Sequence, residues 1–116
     1  MKFSTFATLL PVAAAVDVID VRLAIQRKTW TGRTEYFIDL IADDVNVWHC
    51  NLDYKYASLC QRGKDRLKLT SETDSEIGAA ITWNAHNFTI TATFVSEQNS
   101  WFTPRYTNYA GSAMVE

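Results

Sequence analysis

Apolar and polar residues alternate with a period of two along most of this chain, the pattern of strands that bury one face and leave the other wet. In the first run Ile19, Val21, Leu23 and Ile25 share one face, while Asp20, Arg22, Ala24 and Gln26 take the other, which predicts a strand over 18–28. A polar connection, Thr29 to Thr34, follows, with Gly32 where the chain can reverse. The run 35–42 carries Tyr36, Ile38 and Leu40 on one side and Phe37 and Ile41 on the other. Apolar weight on both faces suits a central strand. Asp43-Asp44 predicts a turn, and 45–52 resumes the alternation with Trp48, Cys50 and Leu52 facing inward together and His49 facing out.

Beyond this point the pattern breaks and then returns. The stretch 53–63 reads as a compact excursion in which 57–60 fits a short strand and one helical turn equally well. Leu67 and Leu69 mark a strand over 66–71, and the acidic run Glu72-Thr73-Asp74-Ser75-Glu76 reads as a solvated loop, lacking the glycine-centred spacing of a calcium loop. A hairpin is predicted from 79–85 and 88–95, with Ile81, Trp83, Phe88, Ile90, Ala92 and Phe94 inward, threonines 89, 91 and 93 outward, and His86-Asn87 at the turn. From about 96 the alternation fades, and the tail is expected to be irregular, lying over the barrel as a late strand or dangling as a docking segment. Six to seven short strands without a 3.6-residue period predict an all-β single domain, an antiparallel β-barrel or β-sandwich.

The chain ends refine this picture. Lys2 precedes an apolar run over 3–12, and Ala13 and Ala15 supply the small residues of a signal-peptidase site. Residues 1–15 are therefore expected to be a cleaved signal peptide and 16–116 the secreted, extracellular domain. The apolar run is too short for a bilayer, which needs roughly 20 residues. In an oxidising compartment two cysteines read as one disulfide, so Cys50 and Cys60 are expected to pair. A zinc site would need further ligands that the flanking sequence does not offer, and no metal is expected. With a net charge of −2 and its Lys and Arg residues scattered, the chain carries no footprint for nucleic acid or an anionic membrane.

Candidate chemistry is sparse. The serines lie in no Gly-x-Ser-x-Gly turn, no phosphate cradle or His-Glu-x-x-His helix appears, and no cofactor is expected. His49 and His86 have ordinary strand and turn explanations. Asp43-Asp44 and the 72–76 run are the carboxylates that a glycosidase-like pair would draw upon, from predicted connections. These observations favour a non-catalytic protein. Asn87-Phe88-Thr89 matches the N-glycosylation acceptor. Trp30, Trp101, Phe102, Tyr106 and Tyr109 are the candidate binding residues, since aromatics near a polar rim are common anchors.

Ile19-Asp20-Val21-Arg22-Leu23, then Tyr36-Phe37-Ile38-Asp39-Leu40, then Val47-Trp48-His49-Cys50 with Cys60, resemble the opening strands and first disulfide of the secreted fungal allergen and effector-like family typified by the major Alternaria allergen. Arg66 to Leu69 and the 88–95 run are similar to its later strands. The resemblance spans 18–95 and implies a β-barrel, a homodimer, and association with plant-defence proteins or small phenolic ligands without catalysis. The chain departs from that pattern because its tail has no cysteine for the family's second disulfide. The expected partner is thus a host or extracellular protein or a small apolar ligand. A carbohydrate or cell-wall binding module is the alternative, followed by a small hydrolase.

Overall fold

A computed structural model describes residues 18–53, 59–98, 101 and 104–116. The proposed signal peptide, 1–15, lies outside them, as does Phe102. Eight antiparallel strands form one sheet: β1 Ile19–Trp30, β2 Arg33–Ala42, β3 Val45–Leu52, β4 Leu59–Arg62, β5 Asp65–Glu72, β6 Glu76–Trp83, β7 His86–Gln98 and β8 Arg105–Val115. Their order is β3-β2-β1-β8-β7-β6-β5-β4, so every strand pairs with its sequence neighbour except β3 with β4, and β8 returns to pair with β1. The sheet is a nearly closed barrel whose seam lies between β3 and β4. The Cys50–Cys60 disulfide crosses that seam, with the two Cα atoms 6.3 Å apart.

The alternation places the core as expected except at Phe94, which is exposed on β7 beside a register shift rather than inward. Val21, Leu23 and Ile25 of β1, Tyr36, Ile38 and Leu40 of β2, and Trp48, Cys50 and Leu52 of β3 are all buried. Leu67, Leu69, Ile77, Ala79, Ile81, Ile90 and Ala92 complete the interior from β5 to β7. β2 lies between β3 and β1, the central place that its two apolar faces suggest. Asp43 and Asp44 have φ of 50° and 66°, the positive values that a tight two-residue hairpin turn demands.

Three expectations are corrected. The strand count is eight rather than six to seven, and of the two expected architectures the single, nearly closed sheet is the barrel. The tail is not irregular throughout: β8 is an 11-residue strand held by both β1 and β7. Its inward positions are Thr107, Tyr109, Gly111, Ala113 and Val115, small or polar enough to hide the alternation. Gly111 is required there, because a Cβ would meet the Thr91 carbonyl oxygen at 2.4 Å. The β6–β7 turn is Asn84-Ala85, both with positive φ, rather than His86-Asn87, which open β7. Asparagine tolerates the left-handed region better than most residues, so the tighter turn forms one step earlier.

Candidate functional site

Strand directions define two ends of the barrel. At the end holding the β1–β2 turn, β1 presents Lys28 and Trp30 on its outer face, and Lys28 is paired across β8 with Tyr106. The Lys28 Nζ lies 4.7 Å from the Trp30 ring centre and 5.8 Å from that of Tyr106, while the Arg33 guanidinium lies 5.0 Å from Trp30. Each is a cation–π contact, favourable by about 0.5–1 kcal/mol at an exposed site. Tyr106 pairs with Gln98 on its other side, so the β7–β8 connection holding Trp101 emerges at the same end. Trp101 is 89% exposed. Three of the five aromatic candidates, Trp30, Trp101 and Tyr106, thus belong to one end of the barrel.

Tyr109 does not join them on the surface. It is 2% exposed and pairs with Ile25 in the core. Its ring meets Phe94 edge-on at 6.4 Å and carries the Arg27 guanidinium 5.3 Å above its centre.

That arginine belongs to a part-buried cluster that the alternation does not reveal. Arg27 Nη1 donates to Glu72 Oε2, and the Tyr36 hydroxyl donates to Glu72 Oε1 at 2.6 Å. The Arg27 and Glu72 side chains are 14% and 15% exposed. Burial pushes the Tyr36 phenol well above its ordinary pKa, and its bond to Glu72 adds to the shift. Burial also raises Tyr109, opposed by the Arg27 charge. For Arg27, burial works downward, but the hydrogen bond to Glu72 and the neighbouring groups outweigh it and the pKa rises.

The sequence places Glu72 in a solvated loop, but it ends β5. A register shift between Leu69 and Ser71 reverses the phase, so Glu72 pairs with the buried Ile77 and turns inward. A β-bulge has this effect because one extra residue exchanges the two faces downstream. The signal that could have located Glu72 is the inward arginine: Arg27 continues the Val21, Leu23, Ile25 series, and a buried cation needs a carboxylate.

The remaining candidates are dispersed. Asn87 lies exposed on β7, where its Oδ1 accepts a hydrogen bond from Thr82 Oγ1 at 2.7 Å. His49 Nδ1 contacts Asp39 Oδ1 across the outer β2–β3 pairing. This His–carboxylate pair borders a shallow depression shared with Gln26, Phe37 and Asn108, whose lining includes no hydroxyl or thiol nucleophile apart from the phenol of Tyr109. Asp43-Asp44 lie at the β2–β3 turn, whereas Glu72 ends β5 at the opposite end of the barrel and is engaged by Arg27 and Tyr36. The structure does not bring these carboxylates together. Among the described residues, no group of three or more His, Cys, Asp or Glu side chains is placed to hold a metal ion. No family model, curated protein or solved structure matches the chain.

Proposed function

We propose that the chain is a small secreted, non-catalytic protein that binds a host or extracellular protein through the aromatic and cationic end of its barrel. The observation that carries this reading is Trp101, 89% exposed, on the connection beside the Trp30–Lys28–Tyr106 stack. An exposed indole is costly to leave in water and is a frequent anchor in protein interfaces. Lys28 and Arg33 surround Trp30 with positive charge, so the fitting partner offers carboxylates together with an apolar cleft. Export is supported by the leader-like start of the chain and is consistent with a disulfide at the seam. The resemblance to the fungal allergen and effector-like family supports the same partner class.

The alternative is a carbohydrate-binding module stacking sugar rings on Trp101 and Tyr106. It is less favoured because Lys28 lies over the Tyr106 ring as well as over Trp30, which also carries Arg33, leaving less free aromatic face for a sugar. Binding of a small apolar ligand would have to use the outer surface, since the barrel interior is filled by its own side chains.

Capture from host extracellular fluid by wild type, Trp101→Ala and Trp30→Ala/Tyr106→Ala proteins tests the proposal. Partner capture is expected to fall at least about tenfold in each variant, as for loss of an interface anchor. Equal capture by all three overturns it, and retention of the wild type on chitin or glucan beads favours the carbohydrate reading.

A further inference from the structure

A second surface, on the far side of the sheet from the aromatic end, has a different chemistry. On the outer face of β5, Arg66 and Lys68 stand two residues apart, about 7 Å along the strand. Cross-strand pairing aligns Arg66 with Thr82 and then Asn87, and Lys68 with Ala80 and then Thr89. Leu59 of β4 pairs with Lys68 from the other side. Because Ala80 is the smallest side chain in this grid, the surface dips over it into an open groove of about 470 Å³.

The groove has an apolar floor and a basic, hydroxyl-bearing rim. No acidic side chain lines it, and neither Arg66 nor Lys68 has an ion-pair partner among the described residues. The nearby acid, Asp65, accepts the backbone N–H of Asn84 at 3.1 Å. Lys64, in the turn of the β4–β5 hairpin, adds a cation at the start of this row, whereas Arg62 takes the opposite face with Cys60 and lies over the Trp48 ring. Thr82 and Thr89 add hydroxyls, and the Asn87 Nδ2 donor has no partner among the described residues while its Oδ1 accepts from Thr82. A chain of net charge −2 that leaves these cations unpaired favours an anionic occupant.

We infer that this groove binds an acidic polysaccharide, its carboxylate or sulfate groups held by Arg66 and Lys68 and its hydroxyls by Thr82, Asn87 and Thr89. Single-stranded nucleic acid fits less well, because its bases need exposed aromatic platforms. The one aromatic lining the groove, Phe88, has its ring packed against the core. An acidic peptide fits less well because the groove is open and encloses no deep pocket for an anchoring side chain. Asn87 and Thr89 are also the ends of the glycosylation triplet, and a glycan on Asn87 would cover the groove. The site is independent of the aromatic end, so either can fail without the other.

The test is calorimetric titration of the protein made in the bacterial periplasm, where the disulfide forms and Asn87 stays unmodified. Oligogalacturonate, a heparin oligosaccharide, neutral dextran and single-stranded DNA are the probes. At least one of the two acidic saccharides is expected to bind, weakening with salt, and which one binds separates carboxylate from sulfate recognition. Arg66→Gln/Lys68→Gln is expected to lose at least about tenfold in affinity, since each residue removes a charge-assisted hydrogen bond. Lys28→Gln/Arg33→Gln at the aromatic end is expected to bind like wild type. Undiminished binding by the Arg66/Lys68 variant, equal binding of dextran, tighter binding of DNA, or no binding of either acidic saccharide overturns the inference.

Discussion

Replacing Glu72 by alanine probes the least expected feature of this barrel. The substitution leaves the Arg27 guanidinium, 14% exposed, without its carboxylate and removes the acceptor of the Tyr36 hydroxyl. Stranding one member of a fully buried ion pair costs about 3–5 kcal/mol; for this part-buried pair, with the orphaned hydroxyl included, roughly 2–3 kcal/mol is expected. A domain of this size has a net stability of about 5–15 kcal/mol, so the loss is a large share of the total. At about 4–8 °C per kcal/mol, the melting temperature is expected to fall by roughly 8 °C or more. The control is Arg27→Met/Glu72→Leu/Tyr36→Phe, which removes the whole cluster. Apolar replacement of a complete buried pair is commonly neutral or stabilising, so this variant is expected to stay within about 2 kcal/mol of wild type. Urea unfolding followed by circular dichroism measures both. A Glu72→Ala loss below about 1 kcal/mol would refute the buried cluster and return Glu72 to a solvated loop.

Ala85 has a φ of 64°, strained for a residue with a Cβ, and follows Asn84 in the β6–β7 turn. Ala85→Gly is therefore expected to stabilise the fold by about 1 kcal/mol, read as a rise in the urea midpoint at unchanged slope; a loss of stability would argue against this turn. Tyr36 and Tyr109 are both held above the ordinary phenol value of 10.0. Their neutral forms favour the folded state, so this contribution is complete below about pH 10 and declines as the pH rises, because the unfolded chain releases these protons first. Tyr36→Phe is expected to flatten the loss of stability above pH 10, and an unchanged slope would contradict the assignment. Replacing both cysteines by serine is expected to cost about 3 kcal/mol by releasing the loop that they close, with the largest gain in amide exchange on β3 and β4; a uniform gain over all strands would argue against a localised seam.

Much of the fold was legible because residues on β1, β2, β3, β6 and β7 alternate as a half-buried sheet must. Val21, Ile38, Trp48, Ile81 and Ile90 all lie on the face that their neighbours indicate. The pattern failed where inward positions are small or polar, as at Thr107, Gly111 and Ala113 of β8, and where a bulge reversed its phase, as before Glu72. The candidate sites were legible as residue types but not as neighbours. Trp30 and Tyr106 lie far apart in the chain and meet over Lys28 because β8 pairs with β1, a closure that local periodicity cannot encode. Tyr109, equally aromatic and equally polar in its surroundings, differs from Tyr106 by phase alone: three residues along a strand reverse the face, and it becomes core.

The account rests on a covalent tie between β3 and β4 that forms only where thiols are oxidised. The most direct test is the intact mass of the protein recovered from outside the producing cells, treated with an alkylating reagent without prior reduction. The expected product has lost residues 1–15 and takes up no reagent at Cys50 or Cys60. A chain that keeps its leader and is alkylated at both sulfurs would contradict the account.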